Sequence, residues 1–377
     1  MSTIDSKLPP FREAAKNPAA VLDKHIANGK KVVGVGPYYA PEELIYAAGA
    51  EPFGIWGMVG AAEKARKYFP PFYCSICQMT LEMGMNGMFD KLSGYMVTGL
   101  CDTLRAASQN YKVGIPHIPQ IYVSLPQHRR CDAAKEYAIT SFKEVAHKVE
   151  ECVGNVITDA SLIEANTLFN DWRHAMRDFV KLAGTHPAEV SIADRTAVIN
   201  SGYYMDKKEH LELVKDLNTA LAALPNSQEG FTKVMISGIY QDIPAIEQIL
   251  MDNKYCIVCD DLAKESRAFA RETINDSNPL WDLAMSFINL PGDSILYDPG
   301  KTHCDRSAQK AADTGAKGVI LLLAKFCDPE EFDAPYTINA CKALGLPTVR
   351  VEIDQSTETY EQARTQLETF VTVVNEH

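Results

Sequence analysis

The 377-residue chain has no apolar run long enough to cross a bilayer; its cleanest runs, such as GVILLLA at 318–324, have the length of a buried strand. Its opening stretch, MSTIDSKLPPFREAAKN, has no hydrophobic core of a signal peptide, so a reducing cytoplasm is the expected setting. Positive charge is not in excess either. With 37 Lys and Arg against 49 Asp and Glu, the net charge of −12 argues against a nucleic-acid partner or an anionic membrane surface. Phosphate-binding loops are incomplete. Gly300-Lys301-Thr302 ends like a P-loop, but Ile295 stands where its first glycine belongs, so it reads as a loop. Gly34-Val35-Gly36 follows a strand, but Tyr39 occupies the third glycine position of a dinucleotide fingerprint, so NAD is not expected. Short internal repeats and low-complexity tracts are missing, and ten cysteines in this length fall short of a disulfide-scaffold density.

What the chain does have is three cysteines where an apolar run gives way to a helix-starting sequence: Cys74 in FYCSICQM, Cys101 in YMVTGLCDTL and Cys327 in GVILLLAKFCDPEEF. In open α/β sheets ligands collect beyond the carboxyl ends of the strands, at helix N-termini. Asp328-Pro329-Glu330-Glu331 reads as an N-cap, a proline at N1 and a capping-box glutamate, and Asp102 is a similar N-cap candidate. A thiolate at such a point faces unpaired backbone N–H groups and the positive helix end, which is expected to lower its pKa and favour metal binding. One metal centre is implied. Spacing alone leaves zinc and iron–sulfur open.

Lys31–Val35, Ser93–Leu100 and Gln120–Leu125 read as buried parallel strands. Pro41-Glu42-Glu43 starts a helix that Gly49 closes. From about Asp132 to Ala223 the pattern is mainly helical, and LPNSQEG breaks it. A second α/β unit follows: KVMISGIY, a helix through Ile243–Leu250, a strand at Tyr255–Val258, GVILLLA, a helix, TVRVEID and a final amphipathic helix in TYEQARTQLETFVTVV. The expected fold is α/β, with two doubly wound parallel-sheet (Rossmann/flavodoxin-like) domains at 1–131 and 225–377, joined by a helical segment at 132–224. A Cys-Asp pair at a strand end in each suggests a cleft between them.

Other candidates carry less. Cys256 and Cys259 lie at i and i+3 in a strand, expected to point to opposite faces as core thiols. Cys77 can share a helix face with Cys74 and rivals it as a ligand. Cys131, Cys152, Cys304 and Cys341 have no partner at metal-ligand spacing and read as structural or surface thiols. Asp260-Asp261 with Glu265 reads as a solvated helix start rather than an acid/base group. His117 and His128 flank the third strand without a nucleophile.

These residues resemble a known family, the 2-hydroxyacyl-CoA dehydratases, specifically their smaller β subunit. The likeness runs through GKKVVGVGPYYAPEELIYAAGAEPFGIWG, FYCSICQMTLEM, GLCDTLRAASQNYK, LPQHRR, DDLAKESRAFA, KFCDPEEFDAP and IDQSTETYEQARTQLETF, nearly the whole chain. PYYAPEELIYAAG, FYCSICQMTLEM and CDTLRAASQNYK look most like the 2-hydroxyglutaryl-CoA branch, with lactoyl, isocaproyl and phenyllactyl types behind it. The resemblance implies a [4Fe-4S] cluster on Cys74, Cys101 and Cys327 with a non-protein fourth ligand. It implies a homologous larger α subunit, an ATP-dependent iron–sulfur activator, and an (R)-2-hydroxyacyl-CoA substrate at or near the subunit interface. The chemistry would be elimination of water to a 2-enoyl-CoA through a ketyl radical, needed because an ordinary side-chain base cannot remove the β-proton of the unreduced thioester. This subunit would relay the electron. Alternatives are a subunit of a benzoyl-CoA-reductase-like enzyme and a non-enzymatic iron–sulfur electron-transfer protein. Cys77 is a departure, since the family does not require cysteine there.

Overall fold

The computed structural model describes residues 4–357 and 359–376, so Met1–Thr3 of the opening stretch and the last residue of the 225–377 unit lie outside the described residues. Strands β1 (Val32–Val35), β2 (Glu51–Gly54), β3 (Gly94–Thr98) and β4 (Gln120–Val123) form one sheet in the order β2-β1-β3-β4. Strands β5 (Thr232–Gly238), β6 (Tyr255–Leu262), β7 (Gly318–Ala324) and β8 (Thr348–Ile353) form a second in the order β6-β5-β7-β8. All neighbours are parallel. In each sheet the chain steps one way from the first strand and then back across it, the doubly wound α/β arrangement anticipated from sequence.

The apolar runs explain the strands: all seven residues of β7 are buried, as a parallel strand covered by helices on both faces requires. At the end of β5, Gly238 has a φ of 148°, and a Cβ there would fall 2.1 Å from the Leu322 carbonyl oxygen of β7. Only glycine lets these strands stay paired to their ends. Strand β2 has no clear strand pattern in the sequence. Its EPFG carries a glutamate and a proline, but Lys30 pairs with buried Glu51 at 3.0 Å, and an edge strand tolerates the proline's missing N–H.

The helical segment comprises Asp132–Val153, Asp159–Thr185, Ile192–Ser201 and Lys207–Ala222. The halves interleave. Helix Pro9–Lys16 packs on Ile192–Ser201, and helix Pro279–Ile288, from beyond β6, packs on Asp132–Val153. That helix and Thr302–Asp313 are absent from the sequence reading. The Asp260-Asp261 expectation is corrected: both residues end β6, and Asp260 is fully buried against Arg195 at 2.7 Å, with Glu265 on the same guanidinium. The final amphipathic helix, Glu361–Glu376, buries Leu367, Phe370 and Val374 and packs on β8. Among the described residues no helix is long and apolar enough to cross a membrane.

A buried ion group joins the halves. Glu43, on helix Glu42–Ala47 after β1, meets Arg173 at 2.9 Å and Arg271 at 2.5 Å. Burial pushes its pKa up, but the two guanidinium groups outweigh that and hold it at about 2.

Candidate metal centre

Both sheets turn their C-terminal ends toward one crevice. In each, the switch point lies between the first and third strands, β1/β3 and β5/β7, where diverging loops leave room for a ligand. Cys101 follows β3 and Cys327 follows β7, so the two occupy matching places in the two sheets. Cys74 enters from the loop before helix Ser75–Met85. Just beyond β8, the Gln355 backbone N–H donates to Ser75 Oγ at 3.2 Å, and its Nε2 donates to the Trp56 carbonyl at 2.9 Å. These bonds tie the second sheet to the loop carrying Cys74.

Each cysteine is itself the N-cap of its helix: Cys74 before Ser75–Met85, Cys101 before Asp102–Gly114 and Cys327 before Asp328–Ala343. The helices start where the sequence placed them, but Asp102 and Asp328 are first helical residues rather than caps. Cys101 Sγ accepts the Leu104 N–H at 3.4 Å, the bond an N-cap oxygen usually makes.

The expected lowering of the thiol pKa values is corrected at two of the three positions. Burial, followed by the charge of Cys74, pushes Cys101 up to about 12. Burial, followed by Glu330 and Cys74, pushes Cys327 well above the ordinary thiol range. Only Cys74 goes down, chiefly because the Cys77 thiol donates a hydrogen bond to it, against the effect of burial. A helix end offers about half a charge, too little to offset taking a thiolate out of water. Cys77, the rival ligand, is 1% exposed and stands behind Cys74 as a donor.

The three thiols therefore interact, yet among the described residues they do not form a set whose ligand atoms all lie within 4.8 Å of one another. A coordinating metal would deprotonate such thiols outright.

Two residues the sequence did not single out complete the crevice. Tyr38, in the loop after β1, is buried, and its hydroxyl lies within the electrostatic reach of Cys327, Glu330, Cys74 and Cys101. Glu330, on the first turn after Cys327, accepts from Arg267 at 2.8 Å and Ser294 at 2.5 Å. Tyr38, Tyr39 and Phe326 have φ values of 67°, 46° and 62°. Left-handed backbone at bulky side chains is strained, and such strain gathers at functional loops. PYY after a strand and KF before a cysteine were the available signals.

The remaining candidates lie elsewhere. A bulge in β6 opposite Val234/Met235 shifts the alternation, so Cys256 and Cys259 pack in one core layer rather than on opposite faces. They are core thiols even so: Cys256 donates to the Gly184 carbonyl at 3.2 Å and Cys259 accepts from Thr314 at 2.9 Å. His117 meets Asp90 at the surface, and His128 stacks on Tyr297. Cys131 is exposed, Cys152 half-buried and Cys341 buried. Lys301, at a φ of 51°, turns the chain into helix Thr302–Asp313, as a loop should.

The family described as "2-hydroxyglutaryl-CoA dehydratase, D-component" matches residues 37–374. The chain is 40% identical over 372 residues to the (R)-phenyllactyl-CoA dehydratase β subunit of Clostridium sporogenes, covering 98% of this chain and 99% of that one. It is 39% identical over 373 residues to the (R)-2-hydroxyglutaryl-CoA dehydratase subunit β of Acidaminococcus fermentans, covering 97% and 98%. Lactoyl-CoA dehydratase subunit β of Anaerotignum propionicum is 34% identical over 374 residues, covering 98% and 99%. With a match across both sheets and the crevice between them, the chain belongs to the 2-hydroxyglutaryl-CoA dehydratase D-component family and is a dehydratase subunit.

Proposed function

We propose that this chain is the β subunit of an iron–sulfur (R)-2-hydroxyacyl-CoA dehydratase and holds a [4Fe-4S] cluster on Cys74, Cys101 and Cys327, with a non-protein fourth ligand. The observation that carries the reading is the convergence of these three thiols in one crevice, near enough for the charge of one to shift another. When bound, the cluster supplies one-electron transfer. The chain's own residues prepare it. The Leu104 N–H and the Cys77 thiol stabilise charge on the sulfurs of Cys101 and Cys74, while the Glu330 carboxylate beside Cys327 opposes added negative charge and favours a low potential. Tyr38 covers the thiols and excludes water.

In this role the subunit relays one electron from an ATP-dependent iron–sulfur activator to a homologous larger subunit. There the 2-hydroxyacyl thioester loses water through a ketyl radical. Phe72, 64% exposed and two residues before Cys74, and Phe326, 40% exposed and next to Cys327, support a partner covering this mouth.

Iron and sulfide analysis of the anaerobically purified chain, with its visible spectrum, tests the cluster. About four irons and four sulfides per chain are expected, and no zinc at these three cysteines. Cys256→Ala and Cys259→Ala should retain them, since both thiols belong to the β6 core. A colourless protein without iron would refute the reading.

The partner prediction is read by native mass and ATP turnover. The chain should copurify with a larger homologous subunit and hydrolyse no ATP alone, because the glycine its P-loop-like segment needs is Ile295. A stable monomer in the native extract, or ATPase activity of the isolated chain, would count against it.

A further inference from the structure

A second donor cluster lies outside the crevice. His303 and Cys304 open helix Thr302–Asp313, and Asp333 reaches them from the neighbouring helix Asp328–Ala343. One ligand atom from each, imidazole nitrogen, thiol sulfur and carboxylate oxygen, falls within 4.8 Å of the other two, and all three residues are buried. None of them belongs to the three-cysteine centre. Sequence spacing hid the set because Asp333 is far along the chain from the adjacent His-Cys pair, and Cys304 alone reads as a structural thiol.

We propose that His303, Cys304 and Asp333 bind a zinc ion. His303 Nε2 lies 2.9 Å from Asp333 Oδ2 and 3.4 Å from Cys304 Sγ, so the donors already converge. With bonds of about 2.0–2.3 Å, tetrahedral zinc needs donor separations of roughly 3.3–3.7 Å, a small outward rotation of each side chain. The outer contacts are those of a built metal site. His303 Nδ1 faces Asp298 Oδ2 at 3.0 Å, which leaves Nε2 for the ion, and Lys301 Nζ holds the second Asp333 oxygen at 2.5 Å.

A buried imidazolium clasped by two carboxylates is the competing arrangement. It accounts for the charges but leaves the sulfur over. Cys304 Sγ is directed at Nε2, whose single proton already points to Asp333 Oδ2. An ion at the centre takes the sulfur as a third donor. Thiolate and carboxylate together neutralise Zn²⁺, and the mixed N, S and O donor set matches its borderline softness. Three protein ligands leave the fourth position to water. Asp333 lies less than two turns beyond Cys327 on the same helix, so the ion would brace the helix that presents Cys327.

The test measures zinc and iron in parallel on the anaerobically purified, cluster-loaded full chain, before and after dialysis against Zn²⁺ and then metal-free buffer. About one zinc per chain should remain in addition to the iron. Cys304→Ser and Asp333→Asn should lose the zinc and keep the iron, and Cys327→Ala should keep the zinc. Co²⁺ loaded in place of zinc should show a thiolate-to-metal absorption band that Cys304→Ser lacks, a readout that stands if Asp333→Asn fails to fold. Absence of tightly bound zinc after dialysis against Zn²⁺ overturns the proposal, as does zinc retained in both variants. Failure of the iron–sulfur reading would show instead in the iron, with the zinc results unchanged.

Discussion

Cys101→Ala is expected to reduce dehydration by the assembled enzyme to background while acyl-CoA binding stays nearly unchanged. The thiol follows β3, caps its helix and faces the crevice with Cys74 and Cys327, so its loss removes one of three proposed cluster ligands. Binding contacts and electron delivery are separate contributions, and a subunit that only relays loses kcat without losing affinity. Equilibrium binding of a non-reactive acyl-CoA to the variant complex, with native mass confirming assembly, reads the two apart. A large fall in affinity in an intact complex would move the substrate site onto this chain. Cys74→Ala and Cys327→Ala should lose the iron likewise, and a full cluster in Cys327→Ala would reject the ligand assignment.

The largest stability effect is expected at Glu43. Its carboxylate is fully buried between Arg173 and Arg271, so Glu43→Gln removes the counter-charge between two guanidinium groups. Breaking a buried pair from one side costs about 3–5 kcal/mol. The pH dependence agrees in size. The carboxyl titrates at about 2 when folded against 4.5 when free, so its contribution is present above pH 4.5 and fades as pH falls toward 2. That difference corresponds to about 3 kcal/mol. Urea unfolding at neutral pH and at pH 3 measures both. A variant within about 1 kcal/mol of the parent at neutral pH, or a parent whose excess over the variant does not shrink in acid, would contradict the assignment.

Signals confined to a few neighbouring residues were legible in the sequence. The β7 run, the break at LPNSQEG and the helix starting after Cys327 each depend on such local pattern, and the structure has them all. What failed depends on tertiary contact. Strand β2 carries a buried Glu51 that meets its counter-charge only through Lys30, and it pairs as an edge strand with β1. Asp260 looks like a solvated helix start until Arg195, from the helical segment, arrives to neutralise it. The sign of the thiol shifts is not legible in the sequence, because a helix end can be read there and burial by the rest of the fold cannot. Tyr38 and Glu330 gain their meaning from cysteines elsewhere in the chain.

The bonds from Gln355 to Ser75 and Trp56 bear on how the protein is made. Ser75 and Gln355 are 280 residues apart, so the loop carrying Cys74 cannot reach its final support until nearly all of the chain has left the ribosome. At ~5–20 residues per second, that delay is on the order of tens of seconds. During this interval the nascent first sheet carries Cys74, Cys77 and Cys101 without the half of the crevice that buries them. Those thiols have to stay reduced and free of stray metal through translation, and delivery of the proposed cluster belongs after the second sheet has folded.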